Sequence, residues 1–389
     1  MPQTLLFCAP APVQDIPGGY RLDVKFVDGM RAHRAGWSGG VRCVLWRGAG
    51  SIPFGRDYAA GDLGFDLTVL DAGAPVPASL FQGAALALIS ADLQDFPRLT
   101  AAARDAVVPV VSGLEYTLDT RLRTLWLDRG LNPLRRVVRS IRLVRQDRAM
   151  ADSLRRVAGV QFNGYPAFDA LAGSVSRPIL YLDNRMTPAL MATPDEMAAR
   201  AARLHAGAPL RLIHSGRLEP MKGAQDLLAV MHALDGLGVA ATLDIYGAGS
   251  LAEQIAAGLA AFDGRVRLHG PVDFETGLVP VSRTQADVFL SCHRQADPSC
   301  TYLEAMGCGL ALVGYANRMW TRLSAEAGAG AVAPMGRVRD LAQRIAAWDR
   351  DRKALIANAE AGLAFARAHD FATEFDARMA HLRACAGRD

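Results

Sequence analysis

The sequence predicts an α/β protein made of two doubly wound, Rossmann-like domains. Three observations carry this expectation. First, 389 residues is more chain than one hydrophobic core ordinarily serves, so two domains are expected. Second, short apolar runs alternate with amphipathic stretches along the whole length, as parallel strands joined by right-handed helical crossovers do. Third, the runs form two series parted by the segment 183–208, which opens with Asp183-Asn184-Arg185 and carries Pro188 and Pro194. The expected boundaries are 1–190 for an N-terminal domain, 191–364 for a C-terminal domain, and 365–389 for a helical tail packing back on the N-terminal domain.

In the first series the apolar runs predict strands at Thr4–Ala9, Val41–Trp46, Leu67–Leu70, Ala85–Ile89, Val107–Val111, Gly159–Phe162 and Ile179–Leu182. The second series predicts strands at Leu210–His214, Ala241–Tyr246, Val266–Leu268, Val288–Ser291, Leu310–Val313 and Ala331–Ala333. Helical periodicity fills Arg21–Arg34, Ala101–Ala106, Gln225–Leu234 and Leu251–Leu259, and the tail after Ala361 reads as helix to Leu382. No short-period repeat or low-complexity stretch interrupts the pattern.

A chain that is 51% hydrophobic and 21% charged is globular, which excludes a disordered protein. The first apolar run is broken by Pro10, Pro12 and Pro17 and has no charged leader, so it does not read as a secretion signal. No apolar run approaches the ~20 residues that span a bilayer. The expected location is cytoplasmic, or peripheral on the inner face of the plasma membrane. The six cysteines (8, 43, 292, 300, 308 and 385) form no CxxC pair, and Cys292, Cys300 and Cys308, spaced by eight, have no His or carboxylate at the usual metal-ligand spacings. They read as buried or loop thiols of a reducing compartment, and no metal site is expected.

Two segments carry the chemistry. The first runs Leu212-Ile213-His214-Ser215-Gly216-Arg217-Leu218-Glu219-Pro220-Met221-Lys222-Gly223. It sets two cations where a strand gives way to a helix, and ligands of open parallel sheets bind outside the carboxyl ends of the strands. Arg grips a phosphate with its fork and Lys acts as a point charge, so the pair suits a diphosphate. A solvated loop before a helix is the plainer alternative. The second segment holds Asp297-Pro298-Ser299 and then Thr301-Tyr302-Leu303-Glu304-Ala305-Met306-Gly307-Cys308-Gly309. Asp297 and Ser299 are placed to cap the helix carrying Glu304, whose carboxylate is able to accept both hydroxyls of a ribose. Here the plainer alternative is a capped helix with an exposed Glu.

With these segments, residues 210–312 resemble the retaining glycosyltransferases of family 4. Members of that family have the GT-B fold, two Rossmann-like domains facing a cleft. Their Gly-Arg-Leu…Lys-Gly and Glu-x7-Glu segments flank the nucleotide-sugar pocket. Here the counterparts are Gly216-Arg217-Leu218…Lys222-Gly223 and Ala296…Glu304, with Tyr246-Gly247-Ala248-Gly249 and Leu268-His269-Gly270 also matching. The resemblance implies transfer of a hexose-type sugar from a nucleotide-diphosphate sugar to a saccharide or lipid-linked acceptor. Retention, and a place in bacterial polysaccharide or glycolipid synthesis, are implied by the family alone. No cofactor is expected beyond the donor substrate.

By the same resemblance, Arg217, Lys222 and Glu304 form the catalytic set. The first two stabilise the departing diphosphate and Glu304 holds the ribose. Gly216, Ser299 and Gly247 line the donor, and the backbone at Tyr302 and Leu303 contacts the phosphates. The family's first Glu falls on Ala296, so its sugar contacts pass to Asp297 or are lost. In the N-terminal half only the layout matches. Gly18-Gly19 stands where the family has a Gly-rich loop facing the donor, or is a plain turn. Asp92 and Glu115, past their strands, are candidate acceptor contacts.

Charge is uneven along the chain. Residues 119–159 hold eleven Arg against four Asp, a net +7 that leaves −3 for the rest of a +4 chain. On a helix, Leu134, Val137, Val138, Ile141 and Val144 form one apolar stripe with arginines on the other faces. Either the stripe enters the core and the cations are solvated, or the face docks on anionic lipid. Nucleic acid is not expected, because only Trp126 supplies a stacking ring there. Two rival functions stand beside glycosyl transfer. Gly247-x-Gly249-x-x-Ala252 formally fits the dinucleotide fingerprint of an NAD-dependent oxidoreductase, but the next strand ends in His269-Gly270 rather than an acid. Ala296 raises the other rival, a non-catalytic partner subunit that binds nucleotide-sugar.

Overall fold

The computed structural model describes residues 4–387 except 51, 53, 54, 128, 129 and 297. The chain folds as two compact units: residues 1–118, 138–181 and 375–389 make the first, and 119–137 with 182–374 make the second.

The first unit opens with β1 (Thr4–Ile16), β2 (Gly19–Asp23), α1 (Val24–Gly36), β3 (Val41–Arg47), β4 (Gly55–Ala59), β5 (Asp66–Leu70), β6 (Ala84–Ser90), α2 (Phe96–Asp105) and β7 (Val110–Leu114). Next come α3 (Leu118–Leu127) and α4 (Pro133–Leu154), whose residues up to 137 belong mainly to the second unit, then β8 (Gly159–Asn163), α5 (Tyr165–Leu171) and β9 (Pro178–Tyr181). Parallel strands lie in the order β5-β3-β1-β6-β7-β8-β9. The far end of β1 pairs antiparallel with β2, and β2 with β4. Leu6, Ala87, Ile89, Val110, Val160 and Phe162 fill the core against Phe96 and Leu99 of α2.

The second unit holds α6 (Pro194–His205), β10 (Leu210–Ser215), α7 (Leu227–Gly236), β11 (Ala241–Tyr246), α8 (Ala252–Gly258), β12 (Val266–Gly270), α9 (Val279–Gln285) and β13 (Val288–Ser291). It continues with α10 (Thr301–Gly307), β14 (Ala311–Tyr315), α11 (Arg318–Ala327), β15 (Ala331–Ala333), α12 (Val338–Arg350) and α13 (Arg352–Ala368). Its sheet is wholly parallel in the order β12-β11-β10-β13-β14-β15. Every residue of β13 and β14 is buried, as expected for strands covered by helices on both faces. The order reverses direction between β10 and β13, which makes that gap the topological switch point.

The last helix, α14 (Phe371–Cys385), enters the first unit at Phe375. There the Phe375 ring meets His33 edge-on at 4.8 Å, and Arg378 Nε donates to Gln161 Oε1 at 3.1 Å. His33 is fully buried, and burial chiefly pushes its pKa down to about 3, with Arg378 adding to the effect.

Four local expectations need correction. The helix expected at Arg21–Arg34 starts at Val24, where Asp23 accepts from the Phe26 N–H at 3.1 Å, because Tyr20–Leu22 are engaged in β2. The strand expected from Val107 starts at Val110. Val107 instead has φ +57° in a Schellman ending of α2, with its N–H on the Arg104 carbonyl and that of Val108 on the Ala103 carbonyl. The tail is helical as expected, but it is broken between α13 and a last helix and runs to Cys385 rather than Leu382. Finally, the apolar stripe of α4 does not enter a core: Leu134 is 74% exposed, Val138 60% and Ile141 50%.

Candidate functional site

The loops that leave β10 and β13 lie at the switch point of the second sheet, and several local devices clamp them together. Gly223 has φ +70°, and a Cβ there would stand 1.7 Å from the Cys292 carbonyl oxygen, so only glycine permits this approach. The Arg294 N–H donates to the Met221 carbonyl at 3.0 Å. The Arg294 guanidinium forks onto Asp226 at 2.7–3.1 Å, and the Tyr315 hydroxyl donates to the same carboxylate at 3.1 Å.

This clamp brings together residues far apart in sequence. Lys222 is buried to 7% exposure, and its Nζ lies 3.5 Å from Ser299 Oγ, at the limit of hydrogen bonding. Ser299 Oγ in turn shares a 2.7 Å bond with Thr301 Oγ1. Arg217 follows Gly216 at the end of β10 and is exposed, with no ion-pair partner among the described residues. The capping expected of Asp297 and Ser299 is not what Ser299 does: α10 begins after Cys300 with no side-chain cap. Asp297 lies outside the described residues.

Two imidazoles that the sequence reading passed over sit beside these cations. His214, fully buried at the end of β10, donates Nδ1–H to the Leu290 carbonyl at 2.9 Å across the switch point. Burial pushes its pKa down to about 4, with Lys222 adding to the effect and the Leu290 bond opposing it. His293, 1% exposed, is held well below the ordinary histidine range by burial first and then by Lys222, His214 and Arg217. Both are neutral at pH 7. Their signal in the sequence was position alone, each ending or following an apolar strand beside a motif cation.

Glu304 is 6% exposed on α10, and Arg185 binds it through Nε at 2.8 Å and Nη2 at 3.1 Å. Arg185 also lies 3.6 Å over the Phe274 ring. The pair uses one lone-pair site on each carboxylate oxygen and leaves another on each for hydroxyl donors. Arg185 was legible only as part of the segment 183–208 that parts the two strand series. Tyr302 and Leu303 bury their side chains at 0% and 1% exposure. Ala296 is 3% exposed, and its neighbour Gln295 accepts from Thr124 Oγ1 at 2.8 Å.

Gly247 and Gly249 seat the β11 loop on the β10 loop. A Cβ at Gly247 would meet the Gly216 oxygen at 1.9 Å, and the Gly216 N–H donates to the Tyr246 carbonyl at 3.0 Å. At the end of β12, His269 stacks on Tyr246 at 4.5 Å and meets Asp244 at 2.6 Å. The remaining sequence candidates belong to the first unit. Gly18 (φ +76°) makes the β1–β2 turn, and Gly19 starts β2 against β4, where a Cβ would meet the Tyr58 oxygen at 1.9 Å. Asp92 accepts from the backbone N–H groups of Glu115 at 3.0 Å and Tyr116 at 3.4 Å, so the ends of β6 and β7 are joined there. Among the described residues, no cluster of three His, Cys, Asp or Glu side chains is arranged to hold a metal ion.

Residues 209–351, which contain the whole second sheet, match the family model for Glycosyl transferases group 1. Among curated proteins, none matches the sequence. The chain is similar in structure to Anabaena HepE in complex with UDP-glucose, at 16% identity and a TM-score of 0.67, covering 98% of this chain and 99% of that one. It is similar to sucrose-phosphate synthase from Thermosynechococcus elongatus at 15% identity and a TM-score of 0.66, covering 98% of each chain. It is also similar to WaaG, a glycosyltransferase involved in lipopolysaccharide biosynthesis, at 13% identity and a TM-score of 0.60, covering 96% of this chain and 98% of that one. At these identities the likeness establishes the fold, which is that of the GT-B proteins: two Rossmann-like α/β domains with parallel sheets.

Proposed function

We propose that this protein is a glycosyltransferase that moves a hexose-type sugar from a nucleoside-diphosphate sugar to a saccharide or lipid-linked acceptor. One observation carries the reading. Two cations, Arg217 and Lys222, stand at the switch point of a parallel sheet, inside the region that matches Glycosyl transferases group 1. In this reading they hold the diphosphate and stabilise its charge as the sugar departs. Glu304 takes the ribose hydroxyls on the lone pairs that Arg185 leaves open. The UDP and UDP-glucose complexes of HepE support a donor of this class. Retention, as in family 4, and a role in polysaccharide or glycolipid synthesis belong to the same proposal, as does the need for no cofactor beyond the donor. Asp92 and Glu115 are proposed for the acceptor.

Calorimetry with UDP, GDP, ADP and NAD tests the donor site on wild type, Lys222→Ala and Glu304→Ala. The expected result is selective binding of one nucleoside diphosphate that both variants weaken. Arg217→Ala should then lower turnover about a hundredfold or more. Failure of all three diphosphates to bind, or binding of NAD alone, would overturn the reading.

The α4 face favours a lipid-linked acceptor. Its exposed Leu134, Val138 and Ile141 lie among exposed Arg135, Arg139, Arg142 and Arg145, an apolar and cationic surface suited to anionic lipid. Among the described residues no helix is long and apolar enough to cross a membrane, so attachment is proposed as peripheral, on the cytoplasmic side. Flotation with anionic liposomes should carry wild type upward in low salt and fail for Arg139→Glu/Arg142→Glu; no salt-sensitive flotation would remove this part. Ala296 favours one second reading, a nucleotide-sugar-binding subunit without catalysis, because its buried methyl group stands where the family has a carboxylate. Such a subunit would bind the donor and neither transfer nor hydrolyse it.

A further inference from the structure

We infer that His293 donates a hydrogen bond from Nε2 to the anionic ligand held by Arg217 and Lys222, in a tautomer fixed by Asn317 and Tyr302. The inference rests on the diphosphate site proposed above. The relay starts from a group that has no choice of role. The backbone N–H of Trp320 only donates, and it reaches Asn317 Oδ1 at 2.8 Å in the N-cap of α11. The amide nitrogen of Asn317 is therefore the atom facing the His293 carbonyl at 3.3 Å and the Tyr302 hydroxyl at 3.1 Å. The Tyr302 hydroxyl accepts from Asn317 and has one proton of its own to give, and His293 Nδ1 stands 3.2 Å away to take it. A neutral imidazole that accepts at Nδ1 carries its proton on Nε2.

The backbone that carries the ring is held in place as well. On one side of His293 the Cys292 carbonyl lies against Gly223, and on the other the Arg294 N–H holds the Met221 carbonyl, so the residue is fastened to both flanks of Lys222. Burial opposes a positive charge there most strongly, and Lys222, His214 and Arg217 act in the same direction. A neutral donor gives a phosphate oxygen another hydrogen bond without packing a third cation beside Lys222. His214 does not supply it, because its Nδ1–H is spent on Leu290 and its Nε2 is an acceptor.

Long-range proton–nitrogen NMR of histidine-labelled protein reads the tautomer, with His293→Gln identifying the resonance. The expected result at neutral pH is a protonated Nε2 and a bare Nδ1, with Nε2 shifting on addition of inorganic pyrophosphate or UDP. His293→Ala should weaken binding of both probes about tenfold, the loss of one hydrogen bond to a charged group. His293→Gln, which keeps an N–H near the Nε2 position, should restore most of it. Tyr302→Phe should mix the tautomers and weaken binding with His293 still present. A protonated Nδ1, or equal affinity in wild type and His293→Ala, overturns the inference and leaves the diphosphate site standing. No binding of pyrophosphate, UDP, GDP or ADP to wild type overturns both.

Discussion

Gly223→Ala perturbs the contact that builds the cationic turn. At φ +70° an L-residue costs about 1–2 kcal/mol, offset in part by about 0.4–1 kcal/mol from a stiffer unfolded chain. The steric cost is larger. The new Cβ would sit 1.7 Å from the Cys292 oxygen and 2.6 Å from its carbonyl carbon, both backbone atoms. Ordinary carbon contacts lie at about 3.5–4.0 Å, so the 292–294 backbone must retreat by more than about 1 Å. That retreat breaks the Arg294 N–H bond to Met221 and pulls the Arg294 fork from Asp226. Leaving such groups unsatisfied costs about 1–3 kcal/mol each, and the expected total is a loss of about 3–5 kcal/mol.

Gly216→Ala is the control. Its φ is +146°, but no atom lies within 4 Å of the added Cβ, so only conformational cost applies, about 1–2 kcal/mol. Scanning calorimetry of both variants, with titration of UDP, GDP and ADP, gives stability and binding together. Gly223→Ala should lose nucleotide affinity along with stability, since Lys222 moves with the turn. A loss under about 1 kcal/mol, or one smaller than that of Gly216→Ala, would refute the argument that the two loops are clamped through Gly223.

Three further outcomes are expected. Val107→Gly should raise stability by about 0.5–1 kcal/mol, because a β-branched residue at φ +57° is strained and its 89% exposed side chain packs on little; an unchanged or lower melting temperature would contradict this. Acidification should destabilise both units. The folded pKa values of His33 (about 3) and His214 (about 4) lie below the ordinary 6.5, so the unfolded chain binds the extra protons. Their contribution is whole above pH 6.5 and falls as pH drops toward the folded values, about 2 kcal/mol for each residue by pH 5. Calorimetry from pH 7 to pH 5 should show this, and His214→Gln should flatten the dependence of the second unit. Arg185→Ala should cost about 1–2 kcal/mol, discounted because Arg185 is 41% exposed, by leaving the Glu304 carboxylate without its bidentate partner. Arg185→Lys should recover less than half in a denaturant titration, since a point charge does not reproduce the fork.

Much of the fold was legible because burial on both faces of a parallel sheet demands continuous apolar runs. Val288–Ser291 and Ala241–Tyr246 stand in the structure as the runs predicted. Where a segment's state depends on a neighbour, the local pattern misled. Tyr20–Leu22 is drawn into a strand by β1 and β4, and Val107 is held in a helix ending by Schellman hydrogen bonds that no periodicity encodes. The stripe on α4 was visible, but its exposure was not, since amphipathicity alone does not say whether core, lipid or water meets the apolar face.

The same division runs through the candidate site. Sequence alone determined that two cations follow one strand and a carboxylate follows another, because residue type and strand ends are local properties. Tertiary structure decided what those residues touch. Strand order puts β10 beside β13, which carries Lys222 to Ser299 and sets His214 and His293 within the field of the cations. Chain return through the segment after β9 gives Glu304 its partner in Arg185, 119 residues away. Contacts of that range depend on which strands pair and which glycines let backbones meet, so they exist only once the sheet has closed.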